Sequence, residues 1–127
     1  LVDGHRGFGS GPIGWMADNQ QKGVSAVPAL TIHSSPEFAK KNLELEPSRW
    51  MAELLLAARP FHEGTVVNAV AHRWRLAQPQ TTVDVGAVVI AAPAPVVLAG
   101  EVFAEARVEG AYTSGKAAAQ LMLERVG

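Results

Sequence analysis

The residues best suited to chemistry are Ala99-Gly100-Glu101 and, a short gap later, Arg107-Val108-Glu109-Gly110-Ala111-Tyr112-Thr113-Ser114-Gly115. The apolar run Val96 to Ala99 stops at Gly100-Glu101, and a helix rich in small residues opens near Val108. A carboxylate and a helix N-terminus therefore converge on one point. The first turn of a helix leaves amide N–H groups without intrahelical acceptors and carries about half a positive charge. Such a place suits a polar, partly anionic ligand.

Other chemical signals are weaker. Gly9-Ser10-Gly11-Pro12-Ile13-Gly14 has the glycine spacing of a dinucleotide loop, but no strand precedes it and no acidic residue lies about 20 positions on. Gly110 to Lys116 fits the start of a nucleotide-triphosphate loop, yet Ala117 stands where a magnesium-binding hydroxyl is needed. His5, His33, His62 and His72 lack metal-ligand spacing, so no metal site is expected. No nucleophile elbow or triad can be picked out, and the catalytic residue is left unassigned.

The elements that must position these residues follow from periodicity. Leu1 to Pro12, rich in glycine and charge, reads as a loop. Ile13 to Ala17 and Ala29 to His33 read as two antiparallel strands around the polar turn Asp18 to Gly23. Ser35-Pro36-Glu37 starts a short helix, with Ser as N-cap, Pro at the first helical position and Glu in the first turn. Pro47 opens a second helix, on which Trp50, Met51, Leu54, Leu55 and Ala58 fall at helical spacing before Pro60 closes it. From Val66 the period becomes two. Val66, Val70, Trp74 and Leu76 then share one face of an extended segment with His72, and Arg73 and Arg75 share the other, which places Trp74 in the core. Val85 to Ala91 and Pro95 to Ala99 read as two more strands, and Val108 to about Arg125 as a final helix with Gly110, Ala111, Ser114, Gly115 and Ala118 along one side. A ligand or another backbone can approach such a side closely. The expected fold is α+β, an antiparallel sheet with helices packed on one face, followed by a C-terminal strand and helix.

Three stretches carry a family resemblance. The ending just described resembles the C-terminal flavin-binding segment of FAD-dependent amine oxidases, most closely that of renalase-like proteins. Ala71-His72-Arg73-Trp74-Arg75-Leu76-Ala77-Gln78-Pro79 is similar to the His-Arg-Trp-Arg-Tyr-Ala stretch of that group, and Ile32-His33-Ser34-Ser35-Pro36-Glu37-Phe38 to its His-Ala-Ser-Pro-Glu-Trp. The three occur in the family's order and cover most of the chain. The resemblance implies FAD as cofactor, bound through Gly100, Glu101, Arg107, Val108, Glu109 and Gly110, with the amides of the last three facing the anionic edge of a reduced flavin. It implies a small-molecule substrate, an amine or a dihydronicotinamide-type molecule, bordered by His72, Arg73 and Trp74. Hydride would pass from that substrate to flavin N5, with the Arg73 and Arg75 face turned to the cavity. Family members are much longer, so the chain is expected to be the C-terminal part of a larger enzyme whose N-terminal Rossmann half grips the ADP portion of FAD. On that reading 1–90 belongs to a substrate domain and 91–127 supplies the strand and helix of the FAD-binding domain, with a homo-oligomer expected for the piece alone. The competing class is a non-enzymatic protein-interaction domain.

Composition narrows the partners. The 127 residues hold 11 basic against 12 acidic side chains, a formal net charge of −1, which gives no drive toward phosphate backbones or anionic lipid. Nucleic acid and membrane are therefore not expected as partners. The longest apolar stretch, Val85 to Gly100, is broken by Pro93 and Pro95 and is too short to span a bilayer. The absence of cysteine excludes disulfides and thiolate metal sites, and no leader-like segment is evident. A cytoplasmic location is the expectation.

Overall fold

The computed structural model describes residues 1–91 and 93–126. They form two compact units, Leu1–Arg75 and Leu76–Gly127. The fold is α+β, with two small antiparallel sheets and three α-helices among the described residues. The strand Val88–Ile90 pairs with Val96–Leu98 and belongs to the second unit.

In the first unit, β1 (His5–Gly7), β2 (Ile13–Asp18) and β3 (Leu30–Ser34) make a sheet in that order. Both pairings are antiparallel, with Trp15 opposite Gly7 on one side and His33 on the other. The register slips between Ile13 and Trp15. Gly14 lies at the slip, where a Cβ would come within 3.0 Å of the Ser34 carbonyl oxygen, so only glycine lets the two backbones approach this closely. The slip lets both Ile13 and Met16 reach the core, where they meet Leu54 and Ala58. Phe8, Leu30, Ile32, Phe38, Trp50 and Phe61 pack around that cluster. The expectation of a loop over Leu1 to Pro12 is corrected, because His5–Gly7 adds a third strand at the edge of the expected hairpin.

Helix α1 (Pro36–Asn42) starts as its sequence dictates: the Ser35 Oγ accepts the Phe38 N–H at 3.3 Å, and Pro36 occupies the first position, where no amide donor is needed. Asn42, buried near the other end, donates through Nδ2 to the Phe38 carbonyl at 2.9 Å. Helix α2 (Pro47–Ala58) buries Leu54 and Ala58 and runs into a single 3-10 turn, Arg59–Phe61. Its apolar stripe covers one face of the sheet.

The strand expected from Val66 to Leu76 does not form. The segment is irregular, and Trp74, expected in the core, is 71% exposed. Alternation alone gave it two faces, but Val66, Val70, Trp74 and Leu76 find no apolar layer to cover them. Polar contacts anchor it instead. Arg73 donates to the Leu45 carbonyl, and Arg75 forms a two-pronged pair with Glu44 at 2.7 and 2.9 Å.

In the second unit, β4 (Val88–Ile90) and β5 (Val96–Leu98) pair antiparallel with Val89 opposite Val97. Beyond β5 a 3-10 turn, Glu101–Phe103, continues the contact: the Val83 N–H donates to the Val102 carbonyl and the Gly86 N–H to that of Phe103. Helix α3 (Val108–Val126) follows and packs on this turn and on β5. Among the described residues no helix is long and apolar enough to cross a membrane.

Candidate functional site

Strand β5 delivers the chain to Gly100, whose φ of 155° and ψ of 172° are poorly tolerated by residues with a Cβ. The backbone then turns sharply into Glu101–Phe103 and on to the start of α3. The sharp change of direction that the sequence placed at Gly100-Glu101 is therefore present. It brings half-buried Glu101 and the first turn of α3 into the same small unit.

The helix start has a defined donor set. The Ala111 N–H closes the first helical turn on the Arg107 carbonyl at 3.0 Å. The amides of Val108, Glu109 and Gly110 come earlier and find no acceptor among the described residues. These are three of the four N–H groups that a helix leaves over at its N-terminus, the fourth being that of Arg107. Arg107 is exposed and forms an ion pair with Glu105, and its own N–H donates to the Glu105 carbonyl at 2.7 Å. Its guanidinium is thus already engaged by a carboxylate two residues away.

A side chain that the sequence places on the small-residue side of α3 holds the region together. Ser114 is completely buried nearly two turns into α3. Its hydroxyl donates to the Gly86 carbonyl at 2.5 Å and accepts the Gly100 N–H at 2.9 Å. One hydroxyl thereby joins the helix, the segment entering β4 and the turn leaving β5. Gly86, at φ +71°, leaves only 3.1 Å between a notional Cβ and that of Ala117. On the same side, a Cβ at Gly110 would collide with the Glu105 carbonyl. The small-residue side of α3 thus receives the protein's own backbone. The only hint in the sequence was a serine among glycines and alanines, a pattern that close packing and a ligand surface share.

The other candidates lie in the first unit. The His72 and Trp74 rings meet edge to face with centroids 5.2 Å apart, and both residues are exposed. Arg73 and Arg75 are held by the α1–α2 connection through Leu45 and Glu44. The Arg75 hydrogen bond and charge hold the Glu44 carboxyl below its ordinary pKa, with a smaller contribution from Arg73, and Glu44 raises that of Arg75 in return. His72, Arg73 and Trp74 therefore form one local group, and Gly100, Glu101, Arg107, Val108, Glu109 and Gly110 form another in the second unit. Among the described residues no group of three His, Asp or Glu side chains is gathered as a metal would need. No family model matches the chain.

Proposed function

We propose that the second unit is the flavin-contacting end of an FAD-dependent oxidoreductase of the renalase-like or amine-oxidase-like kind. The observation that carries this reading is the set of three free amides, Val108, Glu109 and Gly110, at the start of α3, reached directly from the turn at Gly100-Glu101.

The donor set fits the group. Three N–H donors at the positive end of a helix stabilise a negative charge spread over an N–C=O edge, as a reduced isoalloxazine presents. Glu101 is half-buried and uncommitted, so its carboxylate can accept hydrogen bonds from ribityl hydroxyls. When bound, FAD supplies the two-electron acceptor for hydride removal from an amine or dihydronicotinamide-type substrate. The chain would hold the ring edge with the α3 amides, and the Ser114 hydroxyl fastens Gly100 to the same helix. His72, Arg73 and Trp74 are the proposed substrate border, with Arg73 held by the Leu45 carbonyl. A dinucleotide-binding half of the same protein is the proposed partner that grips the ADP portion, and the cytoplasm the proposed location.

The test is flavin retention by a protein in which this chain is joined to a renalase-like dinucleotide-binding half. The expected result is a yellow protein whose flavin is reduced anaerobically by a dihydronicotinamide or an amine, while the 127-residue chain alone stays colourless. A well-folded joined protein that retains no flavin would refute the reading.

A further inference from the structure

Strand β1 carries a charge on the core side of its sheet. Arg6 pairs with Met16, and Met16 with Ile32, so alternation turns the Arg6 side chain to the face that α2 covers. There its guanidinium carbon lies 5.2 Å from the centre of the Phe8 ring and 5.5 Å from that of Phe61. The two rings meet edge to face with centroids 5.1 Å apart. Cation–π attraction thus holds the group from two rings at once. Neither ion pair among the described residues uses Arg6. A planar fork of donors matched to a carboxylate is therefore fixed in place without an anion to neutralise it.

Two hollows meet at this point. One, of about 710 Å³, is lined by Arg6, His5, His62 and Glu63 together with Pro60 and Phe61. The other, of about 280 Å³, is largely apolar, with Phe8, Ile13 and Ala57 in its wall, and shares Pro60 and Phe61 with the first. A polar hollow and an apolar one thus adjoin across the rings that hold Arg6.

We propose that these hollows together bind a small monocarboxylate with an apolar body, its carboxylate on Arg6 and its alkyl or aryl group against Phe8, Pro60 and Phe61. The inference does not rest on the flavin reading, because every residue it uses lies in the first unit. Three features select the ligand. The Arg6 fork asks for an anion. Glu63 in the same wall repels a second negative charge, which disfavours phosphate. The adjoining apolar hollow rewards a hydrocarbon body. His5 and His62 each donate through Nδ1 to a backbone carbonyl, that of Asp3 at 3.2 Å and that of Gly64 at 2.9 Å, which leaves each Nε2 for another partner. An inward charge on an edge strand also discourages pairing with a further strand. That role requires neither hollow and has no preference among anions, so a ligand series separates the two.

Amide NMR of the 127-residue chain, titrated with hexanoate, tests the proposal. Saturable shifts are expected at Arg6, Phe8 and Phe61. Acetate, which has the head alone, hexanol, which has the body alone, and inorganic phosphate should each bind about tenfold or more weakly than hexanoate. Arg6→Gln keeps a planar polar end without the charge and should weaken hexanoate by a similar factor while leaving hexanol unchanged. Hexanoate that shifts none of these amides, or that binds Arg6→Gln as before, overturns the proposal. Acetate or phosphate binding as tightly as hexanoate reduces Arg6 to a surface charge and overturns it as well, and equal binding of hexanol removes the carboxylate from it. If Arg6→Gln melts early, the four ligands on the native chain decide the matter alone.

Discussion

Replacing Ser114 with alanine removes one oxygen atom from the most buried point of the second unit. The hydroxyl satisfies two backbone groups at once, the Gly86 carbonyl at 2.5 Å and the Gly100 N–H at 2.9 Å. A single buried hydrogen bond contributes about 1 kcal/mol, and a partner left unsatisfied costs about 1–3 kcal/mol. Gly86 and Gly100 are themselves only half-buried, so water recovers part of the loss. The expected cost to the second unit is about 1.5–3 kcal/mol. Amide hydrogen exchange reads this locally: protection at Gly100 and along the Ser114 side of α3 should fall roughly 10- to 150-fold, with β2 and β3 of the first unit unchanged. Ser114→Thr keeps the hydroxyl and should lose less protection at Gly100, any remaining loss being the strain of an added methyl. If Ser114→Ala leaves the Gly100 amide as protected as before, the hydroxyl is not what fastens the turn to the helix.

Four further outcomes follow from the same geometry. Gly110→Ala should destabilise the second unit by about 1–3 kcal/mol, seen as a lower denaturation midpoint, because its methyl collides with the Glu105 backbone whether or not flavin is present; an unchanged midpoint would refute that close approach. Trp74→Ala, at a site 71% exposed, should change stability by no more than about 0.5 kcal/mol, and a loss of several kcal/mol by chemical denaturation would restore the core position expected from alternation. The Glu44 carboxyl should titrate below the ordinary glutamate range in carboxyl-detected NMR and return toward it in Arg75→Gln; since folding lowers this pKa, its stabilisation is present above the unfolded value and is lost as pH falls through the folded one. In a flavin-retaining protein that contains this chain, Glu101→Ala should weaken FAD binding by roughly 10- to 100-fold through loss of a charge-assisted hydrogen bond, and unchanged retention by equilibrium dialysis would remove Glu101 from the site.

Much of the fold was legible because local rules agreed with one another. Ser35-Pro36-Glu37 named the start of α1, Pro47 and the Trp50–Leu54–Ala58 spacing named α2, and the small-residue run from Val108 named α3. The hairpin of β2 and β3 followed from two apolar runs around a polar turn. Two segments were misread for opposite reasons. His5–Gly7 lacks any apolar signal and becomes a strand only because β2 offers it an edge. Val66 to Leu76 has a clean alternation yet stays irregular, because a strand needs a neighbour and a layer to cover it. The Arg75–Glu44 contact spans distant positions that no local pattern connects.

The small residues of α3 show where sequence reading stops at the candidate site. Gly110, Ser114 and Ala117 mark a helix side that something approaches closely, but the pattern is silent about what approaches. The structure answers with Glu105, Gly100 and Gly86 of the same unit. A ligand is therefore left the end of the helix and not its small-residue side. This narrows the flavin reading to an interaction with three amides and one carboxylate. It also separates two groups of residues that the sequence treated as one site: Gly110 and Ser114 act by letting the turn and the helix meet, whereas Val108, Glu109 and Glu101 carry the free donors and acceptor. The free Gly110 N–H belongs to both groups, so a variant there reports on packing before it reports on a ligand. Glu101, half-buried in the turn beyond β5, is the position at which the proposed flavin contact is best tested.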